Sequence, residues 1–458
     1  MTPHAADRKF FVAASLGAAI ALTASAALAK GNWGLVYSEP NQGNAILGLA
    51  AIDANNAWAI GVSASGGNSS PVGLHTTNGV TWSPMTLPPG TGGILTMYTH
   101  LAFRDANTGW MHGASVKMTG QTGILWRTTD GGASWTMVFQ SPQSLSQLQV
   151  TADGAVFGAG ANVVQISANG SVFVEKPVQV PSGMELSGTS MLTATCGFLI
   201  ATTAANSGQA GSAVLWTSSA GESWEVRGEN RDFRMSKASF LTPKLGWVAG
   251  DREGKGLLAK TTDGGASWTQ QAVPDHPPMA GQQSVPVTSC NDVKFFDDRR
   301  GVALCLACTA DCEAGGTNPS FLTSFLRTDD GGQTWLQDPD YEPMMSAPPF
   351  GAMMKASGMF GMSFPNPNTG FLAGQNNLIL IYTAATPEAP AWGASGCDPN
   401  ASGAGGNGAG GSASESATSG ADTGCGCRAA KPERTFVIAE LGVLALIGLA
   451  HRRRCRWR

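Results

Sequence analysis

The clearest pattern in the chain is an alternation of apolar and small side chains on either side of polar turns. Residues 101–113 (LAFRDANTGWMHG) place such runs around an Asp-Ala-Asn-Thr-Gly segment. Alternating residues bounded by turn formers are typical of β-strands, so this segment predicts two strands joined by a turn. Related segments recur at 52–61, 238–250, 293–303 and 362–374.

A second motif follows these segments. The sequence Thr-Thr-Asp-Gly-Gly-Ala-Ser-Trp occupies 128–135 and 261–268, and 328–335 is a third close copy. Asp or Asn can bond its own backbone two residues on, and glycine accepts positive φ, so each copy predicts a hairpin turn. Weaker copies occupy 76–82 and 217–224, and 167–171 is a remnant without its tryptophan. The residues assigned to these structural turns are Asn78, Trp82, Asp130, Trp135, Ser219, Trp224, Asp263, Trp268, Asp330 and Trp335.

Together the two motifs define seven repeat units. They centre on 49–86, 99–138, 147–175, 190–226, 236–270, 291–337 and 360–384. The last unit ends without an outgoing tryptophan strand, whereas 32–37 (NWGLVY) resembles such a strand without a unit of its own. Pairing these two segments would close a ring and leave no open edge. The sequence therefore predicts an all-β, seven-bladed β-propeller over 30–390, closed by its N- and C-terminal strands.

The motifs also resemble those of known families. The turn motif is similar to the Asp box, or BNR repeat, of sialidase-like propellers. Its combination with Phe-x-Asp-x-x-x-x-Gly-Trp-x-x-Gly resembles the photosystem II assembly factor family of seven-bladed propellers over roughly 32–384. That resemblance implies a non-enzymatic binding or assembly platform and transfers no site residue.

Both ends of the chain have the features of targeting segments. Residues 1–29 combine a basic start, an apolar run and Ala27-Leu28-Ala29, which predicts a signal peptide cleaved after Ala29. An uncleaved N-terminal anchor is the alternative.

Residues 391–424 are rich in Gly, Ser and Ala and predict a disordered linker. Residues 425–458 hold Gly-Cys-Gly-Cys-Arg, a short apolar run predicted to be helical, and an arginine cluster. This order resembles the myxobacterial C-terminal sorting signal (MYXO-CTERM), which implies processing at Cys425 or Cys427 and display at a bacterial cell surface or outer membrane. A plain C-terminal membrane anchor is the alternative, and in both cases only the tail contacts the membrane.

Composition and charge narrow the function. Charged residues make up only 13% of the 458 residues, while the chain has 60 Gly and 13 Trp, a balance typical of short strands and tight turns. The net charge is −4, and because the two ends carry +1 and +6, residues 30–427 carry −11. Nucleic-acid binding normally needs a basic surface, so we expect no nucleic-acid partner.

No catalytic constellation stands out. Sialidases need an arginine triad, a tyrosine nucleophile with its glutamate and an aspartate acid/base, but an Arg-Ile-Pro motif near the first blade is absent. A glycosidase with two carboxylates stays open, because distances in space are invisible in a sequence. Calcium ligation by the Asp-box aspartates is the weaker interpretation, since a calcium loop needs several closely spaced oxygen ligands. We expect no cofactor and no metal.

The cysteines indicate an oxidising compartment. Cys290, Cys305, Cys308 and Cys312 cluster in the sixth unit and predict two disulfides, with a zinc site as the alternative. We expect Cys196 to be free and buried. For Cys397 we expect pairing with Cys425 or Cys427.

These observations favour a monomeric propeller at the cell surface that binds or assembles an envelope protein or a polysaccharide. The alternative is a secreted glycan-binding or glycoside-hydrolysing propeller. The methionine-rich segment 337–362 is the first place where we expect a partner to bind.

Overall fold

The computed structural model describes residues 31–39, 44–65, 68–88, 95–118, 120–204, 207, 209–278, 283–308, 321–341, 358–386 and 396–398. The predicted signal peptide with Ala29, nearly all of the linker, and the tail with Cys425, Cys427 and its predicted helix lie outside these residues. Within the described ranges, no helix is long and apolar enough to cross a membrane.

The described strands form seven four-stranded antiparallel sheets, which confirms the predicted seven-bladed β-propeller. The first strand of the chain is β1 (Gly31–Tyr37). Blade one contains β2 (Ala45–Ala51), β3 (Ala57–Ser65), β4 (Asn68–Thr76) and β5 (Ser83–Pro84). Blade two contains β6 (Leu95–Phe103), β7 (Gly109–Lys117), β8 (Gly120–Thr128) and β9 (Thr136–Ser141). Blade three contains β10 (Leu145–Val150), β11 (Val156–Gly160), β12 (Val163–Ser167) and β13 (Val174–Pro177).

The remaining blades follow the same order along the chain. Blade four contains β14 (Met184–Met191), β15 (Gly197–Thr203), β16 (Ser212–Thr217) and β17 (Glu225–Asn230). Blade five contains β18 (Arg234–Phe240), β19 (Gly246–Arg252), β20 (Lys255–Thr261) and β21 (Thr269–Gln271). Blade six contains β22 (Val287–Phe295), β23 (Gly301–Cys308), β24 (Phe321–Thr328) and β25 (Leu336–Gln337). Blade seven contains β26 (Met359–Asn366), β27 (Thr369–Gly374) and β28 (Ile379–Ala384), with β1 as its outer strand.

Closure of the ring follows the prediction. Strand β1 pairs antiparallel with β28, from Gly31 opposite Ala384 to Tyr37 opposite Ile379. Trp33 packs at this junction against Phe325 of blade six, with ring centroids 5.0 Å apart. Its indole nitrogen also donates a hydrogen bond to Asp338 Oδ1 at 3.2 Å. The first strand of the chain therefore ties blade seven to blade six as well as completing its own sheet.

The two sequence motifs meet where one blade contacts the next. Trp58 in β3 stacks on Phe103 at the end of β6, with ring centroids 3.6 Å apart. Its indole nitrogen donates to the Gly131 carbonyl in the Asp box of blade two at 2.7 Å. A Cβ at Gly109 would lie 2.4 Å from the Phe103 ring, so the motif needs glycine opposite its phenylalanine. Similar stacks join Phe198 to Phe240 and Trp247 to Phe295, and similar indole bonds join Trp110 to Gly170 and Trp247 to Gly331.

Two ends of the ring can be distinguished by their turns. The amide of Gly79, in the first Asp box, donates to the Asn55 carbonyl, and Ala220 of blade four donates to the Thr195 carbonyl. Asn55 and Thr195 lie in turns between first and second strands, so those turns and the Asp boxes share one end, which we name the Asp-box face. The other end, formed by turns between second and third strands and by connections between blades, is the loop face.

Candidate functional site

The Asp boxes use their own polar groups to build turns. Asp130 Oδ1 accepts bonds from the Thr128 hydroxyl (2.7 Å) and the Ser134 amide (2.9 Å), and Oδ2 accepts from the Ser134 hydroxyl (2.5 Å). These bonds, above all that from the Ser134 hydroxyl, lower the pKa of Asp130 to about 2. Asp263 has the same set of bonds, and Asp330 has the two at Oδ1. The carboxylates are thus engaged within their turns, as expected for a structural motif.

The weaker boxes keep the same design with other side chains. Asn78 Oδ1 accepts from the amides of Val80 and Thr81, and the Ser219 hydroxyl accepts from the Ser223 amide. The motif tryptophans pack beside these turns. Trp82 and Trp335 are buried, and Trp135, Trp224 and Trp268 are partly buried. These residues are distributed over separate blades and do not converge on one site.

The cysteine pairing differs from expectation at Cys196. This buried residue is joined to Cys397 by a disulfide, so the predictions of a free Cys196 and of a Cys397 bond to the tail cysteines were wrong. The physical reason is that the chain beyond blade seven returns to a turn of blade four.

In blade six, a disulfide joins cysteines on two neighbouring strands. Cys290 is joined to Cys305, which faces it across β22 and β23, and this bond leaves neither thiolate available for zinc. Cys308 is also disulfide-bonded, while Cys312 lies outside the described residues. Within the part of the chain that the structure describes, no group of three or more metal-ligating side chains is present.

The innermost strands of blades five and six carry an ionic group. Burial raises the pKa of Asp292 to about 6, opposed by the charges of Lys237 and Lys294. Desolvation by the surrounding strands also lowers the pKa of Lys294, although its side chain is exposed to solvent. Shifted pKa values often mark functional sites, but structural ion pairs produce them as well. The charges that act on Asp292 are those of two ammonium groups, as in a structural ion pair.

A cleft of about 660 Å³ lies over blade one where that blade meets blades seven and two. Its lining combines the end of β1, the middle of β4, the chain from Pro84 to Pro88, and the start of β6. Tyr37 shows where the cleft lies in the ring. Tyr37 pairs with Ile379, the residue that begins β28 directly after the turn between β27 and β28. The cleft therefore opens toward the loop face.

One end of the cleft holds a fixed carboxylate. Glu39 Oε1 accepts a hydrogen bond from the Tyr37 hydroxyl at 2.7 Å, and Oε2 accepts from Asn377 Nδ2 at 3.0 Å. The Glu39 amide donates to the Asn376 carbonyl at 3.0 Å, and its carbonyl accepts from Asn44 Nδ2 at 3.1 Å. Burial, followed by the bond to Glu39, raises the pKa of Tyr37, so its hydroxyl remains a donor. The exposed Glu39 side chain is thus held in one position by the first strand of the ring and by the turn before its last strand.

The rest of the described lining is mainly apolar. Pro71, Pro84 and Pro88 contribute side chains and no backbone N–H groups, and Met85 and Leu87 lie between them. At the blade-two side, the Tyr98 hydroxyl donates to the Pro88 carbonyl, and burial raises the pKa of Tyr98 to about 12. The described lining therefore presents proline, methionine and tyrosine surfaces that lead to the Glu39 carboxylate.

Sequence reasoning did not find this cleft. Tyr37 was assigned only to the closing strand, Tyr98 had no role, and Glu39 was not considered. The lining comes from three blades, and only closure of the ring brings β1 beside β4. The sequence instead predicted partner binding at the methionine-rich segment 337–362, of which residues 342–357 lie outside the described residues.

Comparison with known proteins supports the fold class. No family profile and no curated protein matches this sequence. Among solved structures, the chain is similar to YCF48 bound to D1 peptide, with 20% identity, a TM-score of 0.50, and coverage of 77% of this chain and 96% of that one. YCF48 from Cyanidioschyzon merolae is 17% identical with a TM-score of 0.48, covering 77% and 98%. The GH74 xyloglucanase from Xanthomonas campestris is 14% identical with a TM-score of 0.49, covering 76% and 53%. At 20% identity, the similarity to the first of these structures concerns the fold, a seven-bladed propeller.

Proposed function

We propose that this protein is a non-enzymatic binding propeller that holds an extended segment of a partner protein in the cleft over blade one. The observation that carries this proposal is the composition of the cleft, a proline- and tyrosine-rich wall that ends at one fixed carboxylate. Aromatic-lined grooves bind extended, proline-containing peptides because the peptide loses little conformational entropy on binding.

Glu39 gives this cleft a chemical preference. A fixed carboxylate can accept charge-assisted hydrogen bonds from a lysine or arginine of the ligand. The −11 charge of residues 30–427 attracts the same kind of partner during encounter. The ligand class is therefore a polypeptide with a basic residue beside apolar or proline residues.

Hydrolysis of a glycan is the alternative, and the lining argues for binding instead. Two-carboxylate glycosidases place their acids about 5 to 9.5 Å apart. Among the described lining residues, Glu39 is the one carboxylate, and its two oxygens are already hydrogen-bonded. A propeller of this fold does bind a peptide in the YCF48 complex. That comparison supports a peptide as the ligand class.

We further propose that the protein is exported after cleavage at Ala29 and retained at a bacterial cell surface by its C-terminal segment. The disulfides at Cys196 and Cys290 support export, because such bonds persist in oxidising compartments. Processing at Cys425 or Cys427 rests on the sequence resemblance.

The test is selection of a peptide library against the purified full chain, followed by affinity measurement on the enriched peptides. We expect one enriched motif with a basic residue, and Glu39→Gln should weaken its binding roughly tenfold, the equivalent of about 1.4 kcal/mol. Glu253→Gln is the matched control, because it removes the same charge from an exposed turn of blade five at the loop face. Absence of an enriched motif, or equal binding by both variants, would contradict the proposal. Turnover of a polysaccharide would favour the glycosidase alternative.

A further inference from the structure

The Cys196–Cys397 disulfide joins two parts of the chain that are distant in sequence. The two residues are separated by 201 positions, and Cys196 is fully buried in the turn between β14 and β15. Cys397 Sγ also lies 3.2 Å from the Thr193 hydroxyl and 3.1 Å from the Thr195 hydroxyl. It packs against the core cluster formed between blades four and five. Cys397 is therefore seated in the fold as well as covalently bonded to it.

This contact lies on the Asp-box face. The Thr195 carbonyl accepts the amide of Ala220, which belongs to the Asp box of blade four. The chain also leaves the ring on this face, because the Ala384 amide donates to the carbonyl of Asn368 in the turn between β26 and β27. Both the end of blade seven and the point where Cys397 is attached are thus on the same side of the ring.

The cleft lies on the other side. Glu39 bonds to Asn376, in the turn between β27 and β28 on the loop face. The disulfide is the last described attachment of the chain to the propeller, and 60 further residues follow the last described residue, Asp398. Those residues include the proposed retention segment, so Cys397 fixes the point on the Asp-box face from which the tether to the retaining surface starts.

We propose that the Cys196–Cys397 disulfide is a tethering joint that turns the Asp-box face toward the retaining surface and presents the loop face, with its cleft, to the outside. This inference rests on the proposed surface retention. It does not depend on which peptide the cleft binds. Without the joint, the tether to the retaining surface would start at Ala384 instead of Cys397, and a longer tether widens the range of orientations open to the ring.

The test compares the accessibility of the two faces on intact cells. A clickable amino acid is placed at Glu253 on the loop face, or at Val172, which is 70% exposed in the turn of blade three on the Asp-box face. Both proteins are labelled with a bulky polymer reagent, on cells and after release into detergent. We expect several-fold faster labelling at Glu253 on cells and equal rates after release.

Cys397→Ser keeps the ring and lengthens the tether, so the difference between the two sites on cells should become smaller. Equal rates on cells in the unmodified protein would overturn the inference, as would an unchanged difference in Cys397→Ser. Absence of labelling at both sites on cells would also overturn it. Peptide binding by the detergent-released protein is measured in parallel and fails only if the proposed function is wrong.

Discussion

Replacement of Trp33 tests how the ring is closed. The side chain is only 8% exposed, and its rings pack within 5.5 Å, centroid to centroid, of Phe325, Tyr341 and Tyr382. Truncation of a buried tryptophan to alanine costs about 3–5 kcal/mol. It also removes the indole bond to the fully buried Asp338, which keeps its contacts with Arg327 and two backbone amides. We therefore expect Trp33→Ala to lose about 3–5 kcal/mol of the free energy of unfolding.

The assay is urea unfolding of the full chain, followed by near-ultraviolet circular dichroism and by fluorescence. Trp33→Phe keeps most of the ring packing and should lose mainly the hydrogen bond, about 1.5–3 kcal/mol for a charged acceptor. Trp82→Ala is a control of equal exposure whose indole nitrogen has no hydrogen-bond partner among the described residues, so its loss should be smaller than that of Trp33→Ala. A loss below about 1 kcal/mol for Trp33→Ala would refute this role of Trp33, because substitutions at surface positions usually change stability by only about 0.5 kcal/mol.

Three further predictions concern the turns and the inner strands. Ala220 has a φ of +54° where other boxes have glycine, so Ala220→Gly should raise the unfolding free energy by up to about 1 kcal/mol. Gly264→Ala, the converse change at φ +76°, should lower it, and the same sign for both variants in urea titrations would contradict this reasoning. The Asp130 pKa is lowered to about 2, so its bonds stabilise the fold above about pH 4 and this contribution is lost as the pH falls toward 2. The difference in unfolding free energy between the unmodified protein and Asp130→Ala should therefore shrink over that range. Unfolding measured at a series of pH values checks this. The pKa of Asp292 is raised to about 6, so ionisation of this carboxyl group destabilises the folded state. The unmodified protein should therefore become more stable relative to Asp292→Asn as the pH falls from about 7 to 4. A stability difference that stays constant over this range would contradict the raised pKa.

The number of blades and the mode of closure could be predicted because both depend on local patterns. The Asp box is a turn whose bonds lie within seven residues, from Thr128 to Ser134, so its sequence signature survives in each copy. The unpaired strand at Trp33 and the incomplete last unit complement each other. Blade boundaries were less accurate. Blade two begins at Leu95, whereas the predicted unit begins at 99, because the start of the innermost strand carries neither motif.

Contacts between blades could not be predicted from the sequence. The Phe-x-Asp-x-x-x-x-Gly-Trp motif was recognised as two strands, but its Trp58 counterpart bonds a glycine 73 residues away in the next blade. The cleft has the same origin, since Glu39 and Asn377 meet only after the ring has closed. The Cys196–Cys397 bond depends on the path of the chain after blade seven, which no periodic pattern encodes.

The cleft over blade one is expected to bind a protein. Its most direct test is photo-crosslinking on intact cells from a photoreactive amino acid at Thr96, a cleft residue, with the same amino acid at Glu253 as the control on the loop face. We expect one discrete crosslinked protein from Thr96 only, and this crosslink should be lost on addition of the peptide selected for binding. Crosslinks that are equal from both positions, or that contain carbohydrate and no protein, would contradict it.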